Sequence, residues 1–143
     1  MRIALGIVAL VVGSVGFIGQ LVSAVDFRLA QTLGLQEKDE ETDPLYRRLE
    51  LNTARWDLFV LWTLPVAGAL MLAGHAWWPV AALVAGGIHV DVGGRETAKL
   101  LGLRAGGVRV GSAREIRLGL TLLPLLTFVG LALVVYSLTV LVS

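Results

Sequence analysis

The sequence predicts an all-α integral membrane protein, a single domain over residues 1–143 built as a bundle of four membrane-spanning helices. Apolar residues make up 56% of the chain and charged residues 16%, and a soluble domain of this length has too small a core to bury that much apolar surface. The apolar residues form long runs, and eleven of the twelve Lys and Arg residues fall between those runs. Lipid is therefore expected to cover the apolar surface.

Four segments are apolar enough for a spanning helix, which needs about 20 such residues. They are 3–25, 58–74, 77–94 and 118–142. The third reaches the required length only by starting at its tryptophans and continuing past its second pair of glycines. The first is also similar to a cleavable signal peptide, with Arg2 before the apolar run, but its length favours a retained helix.

The positive charges indicate how the spans are oriented. Five Lys and Arg residues lie in segment 26–57, six lie in segment 91–117, and Arg2 alone lies on the opposite side. Cytoplasmic loops carry the excess of Lys and Arg in membrane proteins. The sequence therefore predicts a multi-pass protein of the cell membrane, with both charged loops cytoplasmic and both termini outside.

The composition disfavours several classes of function. The chain has no cysteine, which excludes disulfides, thiolate metal sites and cysteine nucleophiles. Its net charge of +1 gives no indication of a nucleic-acid partner. His89 and Asp91 supply two metal ligands where a site needs three or four, so no metal site is predicted. A channel or carrier is the least favoured function, because no span carries a charge at its centre.

The first charged loop is predicted to contain a helix of its own. Asp43 is a residue type typical of the N-cap, and Pro44 suits the first helical position, where no N–H is needed. We expect this helix to run without a break into the span at 58–74. Glu50 and Asp57, seven residues apart, would share one face of it.

An adjacent face of the same helix is polar where the helix enters the membrane. Arg48, Asn52 and Arg55 follow one another at steps of four and three residues, and Trp56 lies beside them. Two interpretations stay open. This is the ordinary charged end of a spanning helix with a tryptophan in the interfacial belt, or it is a ligand site, since polar groups at this depth are costly and usually paired.

The second charged loop joins the third and fourth helices. The helical pattern continues through Ala98–Gly102, and Ser112 with Glu115 matches a capping box that begins the fourth helix. Arg114 and Arg117 then lie on one face of its first turns. Two interpretations stay open for these arginines. They are positive charges on the cytoplasmic side that contact anionic lipid headgroups, or they form an anion site for a substrate carboxylate or phosphate.

The segment Arg47–Asn52 resembles a motif of the MAPEG family, the membrane-associated proteins in eicosanoid and glutathione metabolism. That motif is an arginine, three residues and an asparagine at the start of the second helix, and the family shares the four spans, the outside termini and the cytoplasmic polar site. Arg95, and Arg114 or Arg117, fall where the family places further arginines. The resemblance implies a homotrimer that binds glutathione and acts as a transferase or isomerase, with Arg114 as the catalytic residue stabilising a thiolate or another developing anion.

Four positions depart from the family's glutathione site. The family typically has a glutamate three residues after the asparagine and then a tyrosine, whereas this chain has Arg55 and Trp56; His89 and Gly93 replace tyrosines near the end of the third helix. A cation at the position of the glutamate reverses the charge that would face the ammonium group of glutathione. The cofactor is therefore left open, and we expect an anionic group in place of ordinary glutathione.

Two functions from different classes follow as hypotheses. The first is a divergent MAPEG-like transferase or isomerase whose lipophilic substrate enters from the bilayer and whose anionic group is held at the cytoplasmic mouth. The second is a non-catalytic accessory or lipid-binding subunit of a larger assembly. A homo-oligomer in contact with membrane lipids is expected in either case. The residues predicted to bind the ligand are Arg48, Asn52, Arg55, Trp56, Arg95 and Arg117.

Overall fold

The computed structural model describes residues 1–143 and is helical throughout, with six α-helices and one short 3-10 helix at Asp39–Glu41. The α-helices are α1 (Arg2–Val25), α2 (Phe27–Thr32), α3 (Pro44–Asp57), α4 (Thr63–Ala73), α5 (Trp78–Ala105) and α6 (Ala113–Leu141). Two of them, α1 and α6, are long and apolar enough to cross a membrane, with mean hydropathies of 2.2 and 2.4.

Both predicted helix starts in the charged loops are confirmed. At the start of α3, the Asp43 carboxylate accepts a hydrogen bond from the backbone N–H of Leu45 at 2.8 Å, and Pro44 occupies the first turn. At the start of α6, the Ser112 hydroxyl accepts from the N–H of Glu115, and the Glu115 carboxylate accepts from the N–H of Ser112 at 2.7 Å. The predicted continuation of the third helix past its glycines is also confirmed, because α5 extends to Ala105.

The prediction of an unbroken helix through residue 58 is wrong. Helix α3 ends at Asp57, and α4 begins only at Thr63 after a series of turns. The cause is Pro65, whose ring has no N–H and would collide with the carbonyl four residues earlier, at Leu61. Tighter turn hydrogen bonds, such as the one from the N–H of Thr63 to the carbonyl of Val60 at 3.2 Å, replace the missing helical turn.

The helices pack as two antiparallel pairs, α1 with α4 and α5 with α6, and α4 also packs against α5. Helices α5 and α6 approach closely at Gly86 and Gly130: a Cβ added to either glycine would lie 2.7 Å from the carbonyl oxygen of the other. Only glycine permits this separation. The main core lies in this half of the molecule and consists of Ala9, Leu64, Ala67, Met71, Trp78, Ala82, Ala85 and Leu133.

The two charged loops meet at the other end of the molecule, as expected if they share one side of a membrane. Thr42 and Val110 form an isolated antiparallel β-bridge. Beside it, the N–H of Asp43 donates to the carbonyl of Arg109 at 2.8 Å. A small second core of Tyr46, Leu100 and Val110 packs against this bridge, so the connected loops close the end of the molecule.

Candidate functional site

A cavity of about 380 Å³ lies between the main core and the connected loops, enclosed by residues of α1, α3, α5 and α6. One part of its wall is apolar and the other is polar. The apolar part includes Val15, Leu61, Val92, Leu122, Leu123 and Leu126. The polar part includes Gln20, Glu37, Tyr46, Glu50, Asp57, Glu96, Lys99 and Glu115.

Helix α3 supplies the cavity with two carboxylates from one face. Glu50 and Asp57 are two helical turns apart, and both line the cavity, which confirms that they share a face. The break after Asp57 allows α3 to pack against α1, and this packing turns the acidic face inward. Asp57 is 2% exposed.

Lys99 of α5 joins two of the buried acids. Its ammonium donates to Glu50 of α3 at 2.8 Å and forms a second ion pair with Glu96, one turn away on its own helix. The side chains of Glu96 and Lys99 are 10% and 23% exposed, so these pairs are only partly screened by water. Lys99 is the sole cation of the cavity wall, and both of its ion pairs are made within the protein.

Two oxygen atoms of the wall have no hydrogen-bond donor. They are Oδ1 of Asp57 and Oε1 of Gln20, both buried. A buried acceptor without a partner costs about 1–3 kcal/mol, and native proteins contain few of them. The cavity therefore offers acceptors that its own donors do not satisfy.

Burial shifts the pKa values of two groups in the polar part of the wall, Glu37 and Tyr46. Burial raises the pKa of Glu37 to about 7, and the negative charges of Glu50 and Glu115 contribute to the rise. Burial also raises the pKa of the Tyr46 phenol above its ordinary range, and Glu50 adds to this effect. Tyr46 is thus a neutral hydroxyl at any physiological pH, and Glu37 exchanges its proton near neutrality.

The cavity is open on the side between α1 and α6. These two helices both line it but do not pack along one another. Val15 is 69% exposed and Leu122 is 57% exposed, although both belong to the cavity wall. A Cβ added to Gly16 or Gly19 of the same wall would meet no atom within 4 Å. The opening is therefore wide and apolar.

Protein-family models, curated proteins and solved structures give no match to this chain. The resemblance to the MAPEG family stays a prediction that rests on the residues named above.

The predicted ligand-binding residues all lie outside the cavity wall. Arg48, Asn52, Arg55 and Trp56 are exposed on α3, on the face away from the acids, and Arg95, Arg114 and Arg117 are exposed on α5 and α6. No hydrogen bond or ion pair joins any two of these seven side chains. The guanidinium of Arg95 instead contacts its neighbours Asp91 at 3.4 Å and Glu96 at 3.2 Å.

Sequence reasoning identified the shared face of Glu50 and Asp57 but assigned it no role. It also missed Gln20 and Lys99. A sequence signal existed for each: Gln20 is the one amide within an apolar run of more than twenty residues, and Lys99 follows Glu96 at the three-residue spacing of a helical ion pair.

Proposed function

We propose that the chain crosses the cell membrane four times, with both charged loops in the cytoplasm and both termini outside. The length and hydropathy of α1 and α6 support this, as does the meeting of the two charged loops at one end. The exposed face of α6 is apolar along its length, which suits lipid rather than water. It consists of Leu118, Leu122, Leu125, Phe128, Leu131, Val135 and Leu138.

Cysteine accessibility tests this topology. Single cysteines at Lys38 and Arg104, both exposed and one in each charged segment, should react with an impermeant maleimide only after the cytoplasmic side is opened. A cysteine at Trp77, exposed at the other end of the molecule, should react in intact cells. Labelling of Lys38→Cys or Arg104→Cys from outside would contradict the proposal.

The function that we propose is the binding of a lipophilic molecule with a polar head. This proposal rests on one observation. The apolar part of the cavity opens between α1 and α6, and its polar part is closed by the loops. Most of its lining residues on α1 and α6, from Val15 to Ser23 and from Gly119 to Leu126, lie within the predicted spans. A ligand would therefore enter sideways from the bilayer and place its head among the acids.

This binding step is common to both hypotheses from the sequence, and we favour the non-catalytic lipid-binding protein. In the cavity wall, the one cation, Lys99, is held by two carboxylates, so no free cation is available there to stabilise a thiolate or another developing anion. Arg114, the catalytic candidate under the MAPEG resemblance, is exposed and outside the wall. A transferase of that type would have to hold its anionic group away from the cavity.

The exposed arginines support a second role, contact with anionic lipid headgroups. Arg48 and Arg55 lie on α3 beside the exposed aromatic side chains of Trp56, Phe59 and Trp62, which are 61%, 71% and 47% exposed. Aromatic rings and basic side chains occur together at the headgroup level of membranes. We propose that this surface fixes the depth of α3 in the cytoplasmic leaflet.

We also propose that the protein forms a homo-oligomer, a trimer under the MAPEG resemblance. The support is Asp91, whose side chain is 70% exposed on α5 where the span predicted at 77–94 meets the charged loop at 91–117. A carboxylate that faces lipid is costly, and charged groups in spans usually face a partner or a water-filled space. A second copy packed against this face of α5 would cover it together with Arg95.

Photolabelling tests the lipid-binding function. The protein is placed in nanodiscs with a neutral long-chain alcohol that carries a diazirine near its tail, and the labelled residues are mapped by mass spectrometry. We expect labels on the buried part of the apolar wall, at Leu61 and Val92. Gly16→Phe places a large side chain in the opening and should remove them.

Gly102→Phe is the matched control. Gly102 has the same open space around it, lies outside the cavity wall, and should leave the labels unchanged. Equal labelling of Gly16→Phe and the wild type would contradict the proposed function.

A further inference from the structure

The polar wall of the cavity carries more negative than positive charge. Its ionisable carboxylic acids outnumber its bases by five to one, with Lys99 as the base. The five acids are Glu37, Glu50, Asp57, Glu96 and Glu115. The electrostatic potential in this part of the cavity is therefore negative. That potential favours lipophilic molecules with a positive head over those with a negative one.

Four of these acids already have a partner or a proton. Glu50 and Glu96 share Lys99, and the Glu115 carboxylate accepts hydrogen bonds from the N–H and the hydroxyl of Ser112, each at 2.7 Å. Glu37 has a raised pKa of about 7, so a large fraction of it is uncharged at neutral pH. Asp57 is the acid that remains without a protein partner.

Asp57 is also the acid that is most fully buried in the wall. It is 2% exposed, its Oδ1 has no donor, and Oε1 of Gln20 in the same wall is equally unsatisfied. Burial raises the pKa of Asp57 to about 6, so this carboxyl is mostly ionised at neutral pH. Arg95 and Lys99 act on its charge, but neither forms an ion pair with it. A buried carboxylate that lacks a direct partner is destabilising. The missing component is therefore a positive group with several N–H donors.

We propose that the ligand is an amine whose ammonium head binds Asp57 and the Gln20 amide oxygen, with its hydrocarbon chain in the opening between α1 and α6. This inference rests on the proposed function and specifies its ligand. An ammonium brings up to three N–H donors and one positive charge. The donors satisfy the unpaired oxygens of Asp57 and Gln20, and the charge balances that of the Asp57 carboxylate. A carboxylate, sulfate or phosphate head would add charge of the wrong sign and no donor.

Competition among three amphiphiles of equal chain length tests the inference. Dodecylammonium, dodecanol and dodecyl sulfate are titrated, below their micellar concentrations, against the photoactivatable alcohol in nanodiscs of zwitterionic lipid. Their amounts in the bilayer are measured separately, so that concentrations are compared within the membrane. We expect dodecylammonium to displace the alcohol at about one-tenth of the dodecanol concentration, as for a charge-assisted hydrogen bond, and dodecyl sulfate to be the weakest.

Asp57→Asn keeps the shape of the side chain and removes its charge. It should abolish the preference for dodecylammonium over dodecanol while the alcohol still labels Leu61 and Val92. Glu40→Gln is the control, because Glu40 is an exposed acid outside the cavity wall, and it should keep the preference. Gln20→Met should reduce the preference in part, and it serves as the second variant if Asp57→Asn does not fold.

The outcomes separate this inference from the function on which it rests. Equal displacement by the three amphiphiles in the wild type, or an ammonium preference that survives in Asp57→Asn, would overturn the amine assignment and leave lipid binding in place. Failure of the alcohol to label the cavity wall would overturn lipid binding itself, and the amine assignment with it.

Discussion

The two ends of this molecule are held together by different interactions. Near the termini, small and apolar residues bring the helices into direct contact, with Gly86 against Gly130 and no charge in the core. Near the charged loops, the helices separate around a cavity, and the ion pair of Lys99 with Glu50 connects α5 to α3. Close packing without charge stabilises one end of this chain, and charge without close packing stabilises the other.

The largest expected effect comes from removing the ammonium at the cavity end. Lys99→Met keeps the length of the side chain but leaves Glu50 without a counter-charge and Glu96 with only that of Arg95. Breaking a buried ion pair costs about 3–5 kcal/mol, and the free energy of unfolding should fall by an amount near the lower limit because Lys99 is partly exposed. The measurement is unfolding by SDS titration in mixed micelles. Lys38→Met is the control, since Lys38 is exposed, and equal losses in both variants would contradict the role given to Lys99.

At the close-packed end, a side chain added at the glycine contact should be the next most damaging change. Gly86→Leu must push α5 away from α6, because its Cβ would lie 2.7 Å from the carbonyl oxygen of Gly130. Overpacking of this kind costs about 1–3 kcal/mol. Gly102→Leu on the same helix meets no atom within 4 Å and should be nearly neutral by the same measurement. If the two variants were equally stable, the description of the close-packed end would be wrong.

A smaller effect, and one that depends on pH, is expected at Glu37. Its pKa is raised from 4.5 to about 7 in the folded protein, so between these values the folded state holds a proton that the unfolded state has released. Stability therefore falls as the pH rises through this window. The groups that act on Glu37 are Glu50, Glu115 and Lys99.

Glu37→Gln removes this dependence on pH. It should be more stable than the wild type at pH 8, by about 1–2 kcal/mol when the partial exposure of Glu37 is allowed for, and equal to it at pH 4. Thermal unfolding in a non-ionic detergent at both pH values measures the difference. Glu40→Gln, at an exposed position, should show no such change. A constant difference between Glu37→Gln and the wild type from pH 4 to 8 would count against the shifted pKa.

The smallest effect on stability is expected from Arg55, which is exposed on α3. Arg55→Glu should change the free energy of unfolding by no more than about 0.5 kcal/mol. It introduces the acid that the resemblance to the MAPEG family predicts at this position, so under that resemblance any binding of glutathione should become tighter in this variant when measured by calorimetry. Tight binding by the wild type that weakens in Arg55→Glu would show that the charge argument from the family resemblance is wrong.

The sequence predicted most of the helices and both capped helix starts, because the patterns involved are local. The break after Asp57 also has a local cause, Pro65. It was not predicted because the apolar residues on both sides of Pro65 have the pattern of one unbroken spanning helix. The cavity was not predictable in this way. The arginine face and the acidic face of α3 have the same helical spacing, and spacing alone does not say which face turns inward. The contact of α3 with α1 decides that, and it depends on residues far apart in the chain.

The bridge between Thr42 and Val110 has a consequence for the order in which the structure is completed. It joins the connection before α3 to the connection before α6, and the neighbouring hydrogen bond from Arg109 to Glu40 spans 69 residues of chain. A contact that closes so long a loop carries a large entropic cost until the intervening helices are in place. Val110 is synthesised after α1 to α5, so the bridge can form only when all of them are present. Glu115 and the other residues of α6 that line the cavity follow later still, so the cavity is completed only at the end of synthesis.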